Sequence, residues 1–542
     1  MICVGIEGTA HTLGVGVVTG EGAILANVAD MLRPETGGIH PREAATHHAS
    51  LAPDLLDQAL AKAGVGYADV SIVAFSQGPG LGPCLRAAAT AARSLAASLE
   101  VPLLGVNHCV AHLEIGRLVT EARDPLLLYV SGGNTQVIAL RDGRYRVFGE
   151  TLDVGVGNAL DKFAREQGIP FPGGPRVEAL ARAGDRLLPL PYTIKGMDVA
   201  FSGLVTAATK LAAAHRLEDV AFSLQETAFG MLVEVTERAL AHTGKEEVLL
   251  GGGVACNARL REMVAQMCED RGARSFAPEP SLCVDNGAMI AWQGILQHRA
   301  GMATPLAESV ILPTQRTDDV PVRWPVEEAR GSELRAAGAS VLAHGAEAQV
   351  FRVLYRGRPA VVKRRLPKRY RHPQIDGALR AQRTRTEGRL LAEAKRAGVR
   401  TPIVFDIRPE QGELWMEELA APRLREVLGE ASRKDLENLL RSAGEAVARL
   451  HDADVVHGDL TTSNLLAHGD GVALLDFGLG VRSRDPEDKG TDLHVLMEAL
   501  SATHAEGLFD FVLGGYRSEA KDPKPVEESL AQIVRRGRYR GT

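Results

Sequence analysis

At 542 residues the chain is too long for one domain, and at about 150 residues per domain it has room for three or four. Hydrophobic content of 45% and charged content of 24% are those of a soluble globular protein, and a formal net charge of -6 excludes wholesale coating of nucleic acid while leaving room for a local basic patch. No run of about 18 apolar residues occurs, so no membrane span is expected, and "MICVGIEG" enters a strand with no basic n-region before it, so no signal peptide is expected. Six cysteines (Cys3, Cys84, Cys109, Cys256, Cys268, Cys283) show no C-x-x-C pair and read as reduced core thiols of a cytoplasmic protein.

In chain order, "ICVGIEGTAHTLGVGVVTG" (2–20) is apolar strand, small polar turn, apolar strand, which reads as a hairpin. "VNHCVAHLEIG" (106–116) puts His108 and His112 four apart, on one face of a helix. Two imidazoles so placed suit sharing a cation or packing in a core, and the spacing alone leaves both open. "LLLYVSGGNTQVIALRDG" (126–143) repeats the first hairpin. "EEVLLGGGVACNARLREMVAQ" (246–266) is buried strand, glycine turn and helix, a form that lets backbone N–H groups approach a phosphate or nucleotide. A duplicated hairpin with a glycine turn before a helix predicts a two-lobed α/β nucleotide-binding fold with a cleft between its lobes.

The composition changes near residue 313. "PTQRTDDVPVRWPVEEARGS" (313–332) lacks an apolar period and reads as a linker. Residues 339–367 look like a small antiparallel sheet. From Lys363 to Arg400 there are 13 Lys/Arg against Asp376, Glu387 and Glu393, a one-sidedness that favours an anionic partner over a solvated face. The terminal "VRRGRYRGT" is again basic and reads as a mobile tail.

"VVHGDLTTSNLLAHGDGVALLDFGL" (455–479) resembles the protein-kinase catalytic loop and magnesium motif. The match implies Asp459 as acceptor of the substrate proton, with Asn464 and Asp476 holding magnesium on ATP. Lys363 of "AVVK" would pair with the phosphates, Glu387 would orient it, and Glu417 and Leu419 of "LWMEEL" would meet the adenine. The departures are H-G-D for H-R-D, Gly345 as the only glycine of "HGAEAQVF", and no A-P-E or long activation loop. This pattern resembles the small atypical kinase family Bud32/PRPK.

The first 320 residues resemble the Kae1/TsaD/Qri7 family through "GIEGTAHTLGVGVV", "GGIHPREAATHHA", "QGPGLGPCLRAAATAAR", "VNHCVAHLEIG", "LYVSGGNTQV", "GETLDVGVGNALDKFAR", "FPGGPRVEALA", "FSGL", "GGGVACNARLREM" and "PSLCVDNGAMIA". The resemblance implies an N-terminal two-lobed actin-like/hexokinase-type (ASKHA) ATPase fold, followed by a small protein-kinase-like α+β domain. The expected division is 1–323, a linker at 324–338, and 339–542. It also implies transfer of a threonylcarbamoyl group from threonylcarbamoyl-AMP to N6 of adenosine 37 in tRNAs reading codons that begin with adenine. One divalent metal, iron or zinc, is implied in the cleft on His108, His112 and Asp285, with Tyr129 completing the set. Tyr129, Val130, Ser131, Gly132, Gly133, Asp161, Gly174, Glu178 and Asn257 match substrate-binding positions. ATP and magnesium are implied in the second domain, and the KEOPS subunits Pcc1 and Cgi121 as partners.

The residues fit that chemistry. Two histidines and a carboxylate suit a divalent transition metal with open positions. Glycines 132–133 and 251–253 let backbone donors reach a phosphate. Two other classes compete as the main role: a protein serine/threonine kinase, and a nucleic-acid-binding scaffold. A zincin needs H-E-x-x-H, but Cys109 follows His108 and Glu114 lies outside the repeat, so proteolysis is disfavoured.

Overall fold

The structure is a computed structural model, and it describes residues 1–33, 40–141, 143–326, 341–345, 347–428, 432–469, 471–503 and 507–539. The first sheet consists of β1 (Ile2–Glu7), β2 (Thr12–Thr19), β3 (Ile24–Met31), β4 (Ile72–Gly78) and β5 (Leu103–Asn107), in the order β3-β2-β1-β4-β5. The second consists of β6 (Leu126–Val130), β7 (Thr135–Arg141), β8 (Arg144–Glu150), β9 (Glu247–Gly251) and β10 (Arg274–Phe276), in the order β8-β7-β6-β9-β10. In each, three antiparallel strands are followed by two that run parallel to the first. The repeated hairpins of the sequence are thus the openings of two equivalent sheets, as the two-lobed expectation requires.

The helices that frame the cleft and its sheets include α1 (Pro41–Ala63), α2 (Gly82–Leu99), α3 (His108–Val119), α4 (Val156–Glu166), α5 (Gly173–Ala181), α6 (Leu217–Thr243), α7 (Ala258–Arg271) and α8 (Gly287–Arg299). Strand residues alternate between two faces, and both faces of the first sheet are apolar. Val4, Ile6, Leu13 and Val15 meet α1 and α2, whereas Cys3, Val18, Ile72 and Ala74 meet α8. Helix α8 lies directly on the strands: a Cβ on Gly16 would stand 2.1 Å from the backbone nitrogen of Ala288, so only glycine fits there. Helix α3 is apolar on two sides. Ala111 and Ile115 join the core of the first sheet, and Cys109, Val110 and Leu113 join that of the second. The histidine-bearing helix is therefore clamped between the lobes.

The C-terminal part opens with β11 (Val341–His344), β12 (Ala348–Tyr355), β13 (Arg358–Arg365), β14 (Val404–Arg408) and β15 (Glu413–Glu417), an antiparallel sheet ordered β11-β12-β13-β15-β14. Helix α9 (Pro373–Arg396) packs on it, and α10 (Arg433–Asp452) and α11 (Pro486–Thr503) build the core beneath with Leu465, Leu474 and Phe477. A small sheet with one helix above a helical lobe is the kinase-like arrangement.

Two sequence expectations need correction. The stretch from residue 313 read as a linker, yet residues up to Val326 pack on the first domain. Trp324 is 3% exposed and its Nε1–H donates to Glu114 at 2.8 Å, because a large apolar ring with one donor is best placed in a core with an acceptor. Residues 327–338 of the expected linker lie outside the described residues, as do 339 and 340. The terminal basic stretch is helical as far as Tyr539, within Lys524–Tyr539, and residues 540–542 lie outside the described residues.

Candidate active sites

The first site forms where α3, α8 and β6 converge. Asn107 ends β5 and caps α3 by accepting from the N–H groups of Cys109 and Val110 at 3.0 and 3.1 Å. That cap fixes His108 at the first turn and His112 one turn on. Asp285 enters from the loop before α8, whose own cap is Asn286. His108 Nε2 lies 3.4 Å and His112 Nε2 3.3 Å from the same Asp285 oxygen, and the three ligand atoms lie within 4.8 Å of one another. Tyr129, buried at the end of β6, brings its hydroxyl to 2.8 Å from His108 Nε2.

The donor set fits a divalent transition metal. Both Nε2 atoms turn to one point, the carboxylate oxygen faces it, and His112 Nδ1 has no hydrogen-bond partner. Behind His108 stands Glu7, fully buried, with Oε2 3.0 Å from His108 Nδ1 and Oε1 accepting from the Thr9 N–H at 2.8 Å. A carboxylate on the far nitrogen fixes the tautomer and ring plane of a ligating histidine. The two imidazoles sit in opposite fields. Burial disfavours charge on both, but Tyr129, Glu7 and Asp285 outweigh it at His108 and raise its pKa, while His112 is lowered. Burial also opposes ionisation of Asp285, and His108 and His112 reverse this and hold its carboxyl well below the usual range.

The glycine turns line this cleft. Gly252 has φ +89 and a Cβ there would meet the Val130 carbonyl at 2.3 Å, so the turns after β6 and β9 touch backbone to backbone. Ser131–Gly133 follow β6 directly, with open space at Gly133 and Gly174. The other matched residues are partly engaged. Asp161 accepts from the N–H groups of Gly173 and Gly174 at 2.7 and 3.2 Å through one oxygen. Glu178 accepts from Arg182 at 2.6 Å and from the Ala258 N–H at 3.2 Å. Asn257 caps α7 through Oδ1 and donates to Gln225 at 3.0 Å, so its amide organises the turn.

The second site is the kinase-like one. Lys363 on β13 pairs with Glu387 of α9 at 2.9 Å and with Asp476 at 2.6 Å. Burial opposes ionisation of Asp476, but Lys363 holds its carboxyl down to about 2. Asp476 also has φ +60, a left-handed conformation that aspartate tolerates at some cost. Asn464 donates to Asp459 at 3.1 Å, and burial raises the Asp459 carboxyl, as suits a proton acceptor. The glycine of H-G-D has a geometric reason: Gly458 has φ +79, and its Cβ would meet the Leu479 carbonyl at 2.3 Å. Gly345 gives its carbonyl to Arg271 at 3.0 Å. The Glu417 N–H is taken by the Ile403 carbonyl at 2.8 Å and its side chain by Arg400 at 2.9 Å. Leu419 follows β15 at the expected hinge, and its carbonyl accepts from Ala421 at 3.1 Å.

The basic run faces an anionic surface, but most of that surface is the first domain. Arg371 pairs with Glu234, Arg383 with Glu234 at 2.8 Å and Glu347 at 2.9 Å, Lys368 with Glu237 at 2.5 Å, and Arg369 with Asp270 at 2.9 Å. From α6, Arg238 reaches Glu347 at 3.3 Å and the catalytic-loop Asp459 at 3.6 Å, while the Gly196 N–H donates to the Gly458 carbonyl at 3.0 Å. Burial resists ionisation of Glu234, yet Arg383, Arg371 and Arg238 together hold its carboxyl far below the usual range. A depressed carboxyl stabilises the fold above its unfolded pKa of about 4.3 and loses that contribution as pH falls. Removing it leaves Arg371, Arg383 and Arg238 to their remaining partners Asp376, Glu347 and Asp459, so Glu234→Ala should cost about 3 kcal/mol. Calorimetry should show a lower melting transition in which the two domains separate, with less acid sensitivity below about pH 4 than the unaltered chain. A variant that melts as before would show the pairs to be idle.

Sequence reasoning missed Glu7, Arg238, Glu347 and Arg365, the last a buried guanidinium 2.6 Å from Glu387. Glu7 had a signal, an acid at the end of an otherwise apolar strand. Arg238 had none, since its partner Asp459 is over 200 residues away in the chain.

Two equivalent sheets around a buried His–His–Asp cluster, joined to a Lys–Glu–Asp–Asn site under a small sheet, define an actin-like enzyme domain fused to a kinase-like domain. The model of the tRNA N6-adenosine threonylcarbamoyltransferase family, TsaD, matches residues 23–292, and that of the RIO domain matches 358–491. A bifunctional tRNA threonylcarbamoyladenosine biosynthesis protein of Methanothermobacter thermautotrophicus is 51% identical over 99% of this chain and all of its own length, 100%. That of Methanocaldococcus jannaschii is 47% identical over 99% and 100%. This chain belongs to that family of bifunctional tRNA threonylcarbamoyladenosine biosynthesis proteins. Among solved structures, a Rio2 kinase complex from Chaetomium thermophilum shares a TM-score of 0.28 at 16% identity, over 37% of this chain and 71% of that one.

Proposed function

We propose that the N-terminal domain transfers threonylcarbamoyl from threonylcarbamoyl-AMP to N6 of adenosine 37 in tRNAs reading codons that begin with adenine. The observation that carries this is the convergence of His108, His112 and Asp285 on one point beside the glycine turns of both equivalent sheets. In the transfer, N6 bonds to the carbamoyl carbon, the anhydride bond from that carbon to the phosphate oxygen breaks, AMP leaves, and N6 gives up a proton. His108, His112, Asp285 and Tyr129 would hold a divalent metal, iron or zinc, which supplies positive charge for the acyl and phosphate oxygens. Gly132, Gly133 and Gly253 present backbone donors to the phosphate, the Ser131 and Gly252 N–H groups being taken by the Asn134 and Cys283 carbonyls at 2.8 and 2.9 Å, and Gly174 leaves room beside them. The second oxygen of Asp161 and the carboxylate of Glu178 serve the ribose hydroxyls. N6 is a weak nucleophile, so orientation by this cleft carries much of the barrier reduction. Glu7 keeps His108 in one tautomer.

In the kinase-like domain, Lys363, Asn464 and Asp476 would hold ATP and magnesium, with Glu387 orienting Lys363 and Asp459 taking a proton. Gly345 begins the loop over the phosphates. ATP turnover in support of the transferase fits better than phosphorylation of a docked protein. Residues Leu187–Lys195 of the first domain stand across from Gly478–Val481 around a cavity of about 650 Å³, where a peptide substrate would approach. The working setting is the cytoplasm, with the small KEOPS subunits Pcc1 and Cgi121 as partners. Among the described residues, no helix is long and apolar enough to cross a membrane.

The test incubates the full chain with threonine, bicarbonate, ATP, the enzyme that makes threonylcarbamoyl-AMP, and tRNA. Mass analysis of nucleosides should show the modified adenosine only when the chain is present. Its absence after addition of the small partner subunits would overturn the reading.

A further inference from the structure

Two cysteines flank the cleft, and neither has a part in the transfer. Cys256 ends the turn Gly253–Cys256 and directly precedes Asn257, while Cys283 ends the short helix Pro280–Cys283, ahead of the Asp285 loop. The two backbones run side by side, since the Gly252 N–H donates to the Cys283 carbonyl at 2.9 Å. Cys256 Sγ lies 3.9 Å from the Pro280 carbonyl and Cys283 Sγ 3.3 Å from that of Pro278. Arg261 of α7 spans the pair, donating to the Ala255 carbonyl at 2.6 Å, the Pro278 carbonyl at 3.3 Å and Cys283 Sγ at 3.5 Å. Cys256 is the only partly exposed cysteine among the six; the other five are buried. The neighbouring Cys283 thiol and the Arg261 guanidinium lower its thiol pKa against the effect of burial, which favours the nucleophilic thiolate.

We propose that Cys256 and Cys283 form a reversible disulfide that joins the glycine turn to the Asp285 loop and stops the transferase. The oxidant is a small-molecule disulfide. The Cys256 thiolate attacks one of its sulfurs, a mixed disulfide forms and the first small thiolate leaves. Cys283 sulfur then attacks Cys256 Sγ, and the second small thiolate leaves. Two protein thiols are oxidised, one small disulfide is reduced to two thiols, and the two protein protons pass to them. The bond draws Sγ atoms into the narrow geometry a disulfide demands. The Cys256–Asn257 corner and the segment leading to Asp285 must then shift together. A displacement near one ångström in a positioned group is enough to slow a reaction by about a hundredfold.

The inhibitory half of this inference rests on the transferase reading; the disulfide itself does not. The full chain is treated with cystamine, digested without reduction and mapped by mass spectrometry, and free thiols are counted in parallel. The expected result is a linked peptide pair holding Cys256 and Cys283, with the thiol count two below the initial six. Persistence of all six thiols, a stable cysteamine adduct on Cys256, or a link through another cysteine overturns the proposal. Threonylcarbamoyl transfer and bound metal are measured in the same samples. Transfer should fall at least about tenfold and return with dithiothreitol, while Cys256→Ser and Cys283→Ser keep their activity in cystamine. A linked protein with undiminished transfer overturns the inhibitory role. Reduced protein that makes no product fails the transferase reading instead, and metal content in the linked sample then decides whether the Asp285 loop has moved.

Discussion

Replacing Asp476 by alanine should abolish ATP turnover by the kinase-like domain, by at least about two orders of magnitude, while the chain stays folded. Asp476 is the carboxylate that faces the phosphate-binding space from the catalytic-loop side, 2.6 Å from Lys363. On the proposed assignment its carboxylate and Asn464 would share the magnesium, and alanine offers no ligand in its place. Folding should survive because Lys363 keeps Glu387 at 2.9 Å and the core around Phe477 is untouched. Alanine is less tolerant than aspartate of φ +60, which costs about 1 kcal/mol. Asp476→Asn separates the two effects, since asparagine accepts the left-handed backbone yet lacks the charge. Both variants should lose turnover and the Lys363 ion pair, and alanine should be the less stable of the two. Unchanged hydrolysis in the asparagine variant would remove Asp476 from the metal site.

The sequence carried the architecture through local signals. The hairpins at 2–20 and 126–143 have the short turns and apolar strands that fold without distant help, and both became the first strands of equivalent sheets. The His108–His112 pair was legible because helical periodicity puts residues four apart on one face. Asp285 was not derivable from spacing, since the link to it is spatial and 173 residues long. It came from the family resemblance. The basic run shows the limit clearly. Its charge could be counted, but the acids that answer it, Glu234 and Glu237, sit one turn apart inside the mostly apolar α6 and look unremarkable in sequence. Glu347 lies within the reduced glycine loop and passed as a loop residue. Pairing across domains fixes which face of a charged helix is solvated, and no local pattern encodes it.

His112→Ala should lower bound metal and threonylcarbamoyl transfer together. Three protein side chains converge on one point, and losing one leaves a pair that holds a divalent ion weakly. A histidine that merely packs would behave otherwise. Its removal would open a cavity beside Tyr129, lower the melting temperature and leave metal content near that of the unaltered chain. Metal analysis of purified His112→Ala beside its melting curve distinguishes the two, and full occupancy with a lowered melting point refutes the metal role. Asp285→Ala approaches the same centre from the loop before α8. It removes the carboxylate oxygen that both imidazoles share, at 3.4 and 3.3 Å, and should match His112→Ala in metal loss. Glu7→Gln gives the graded case. It keeps a hydrogen-bonding group behind His108 but removes the charge, so metal affinity should fall by about 10–100-fold rather than vanish. The ordering of the three variants, two near-complete losses and one partial, follows from which atoms face the ion and which stand behind a ligand.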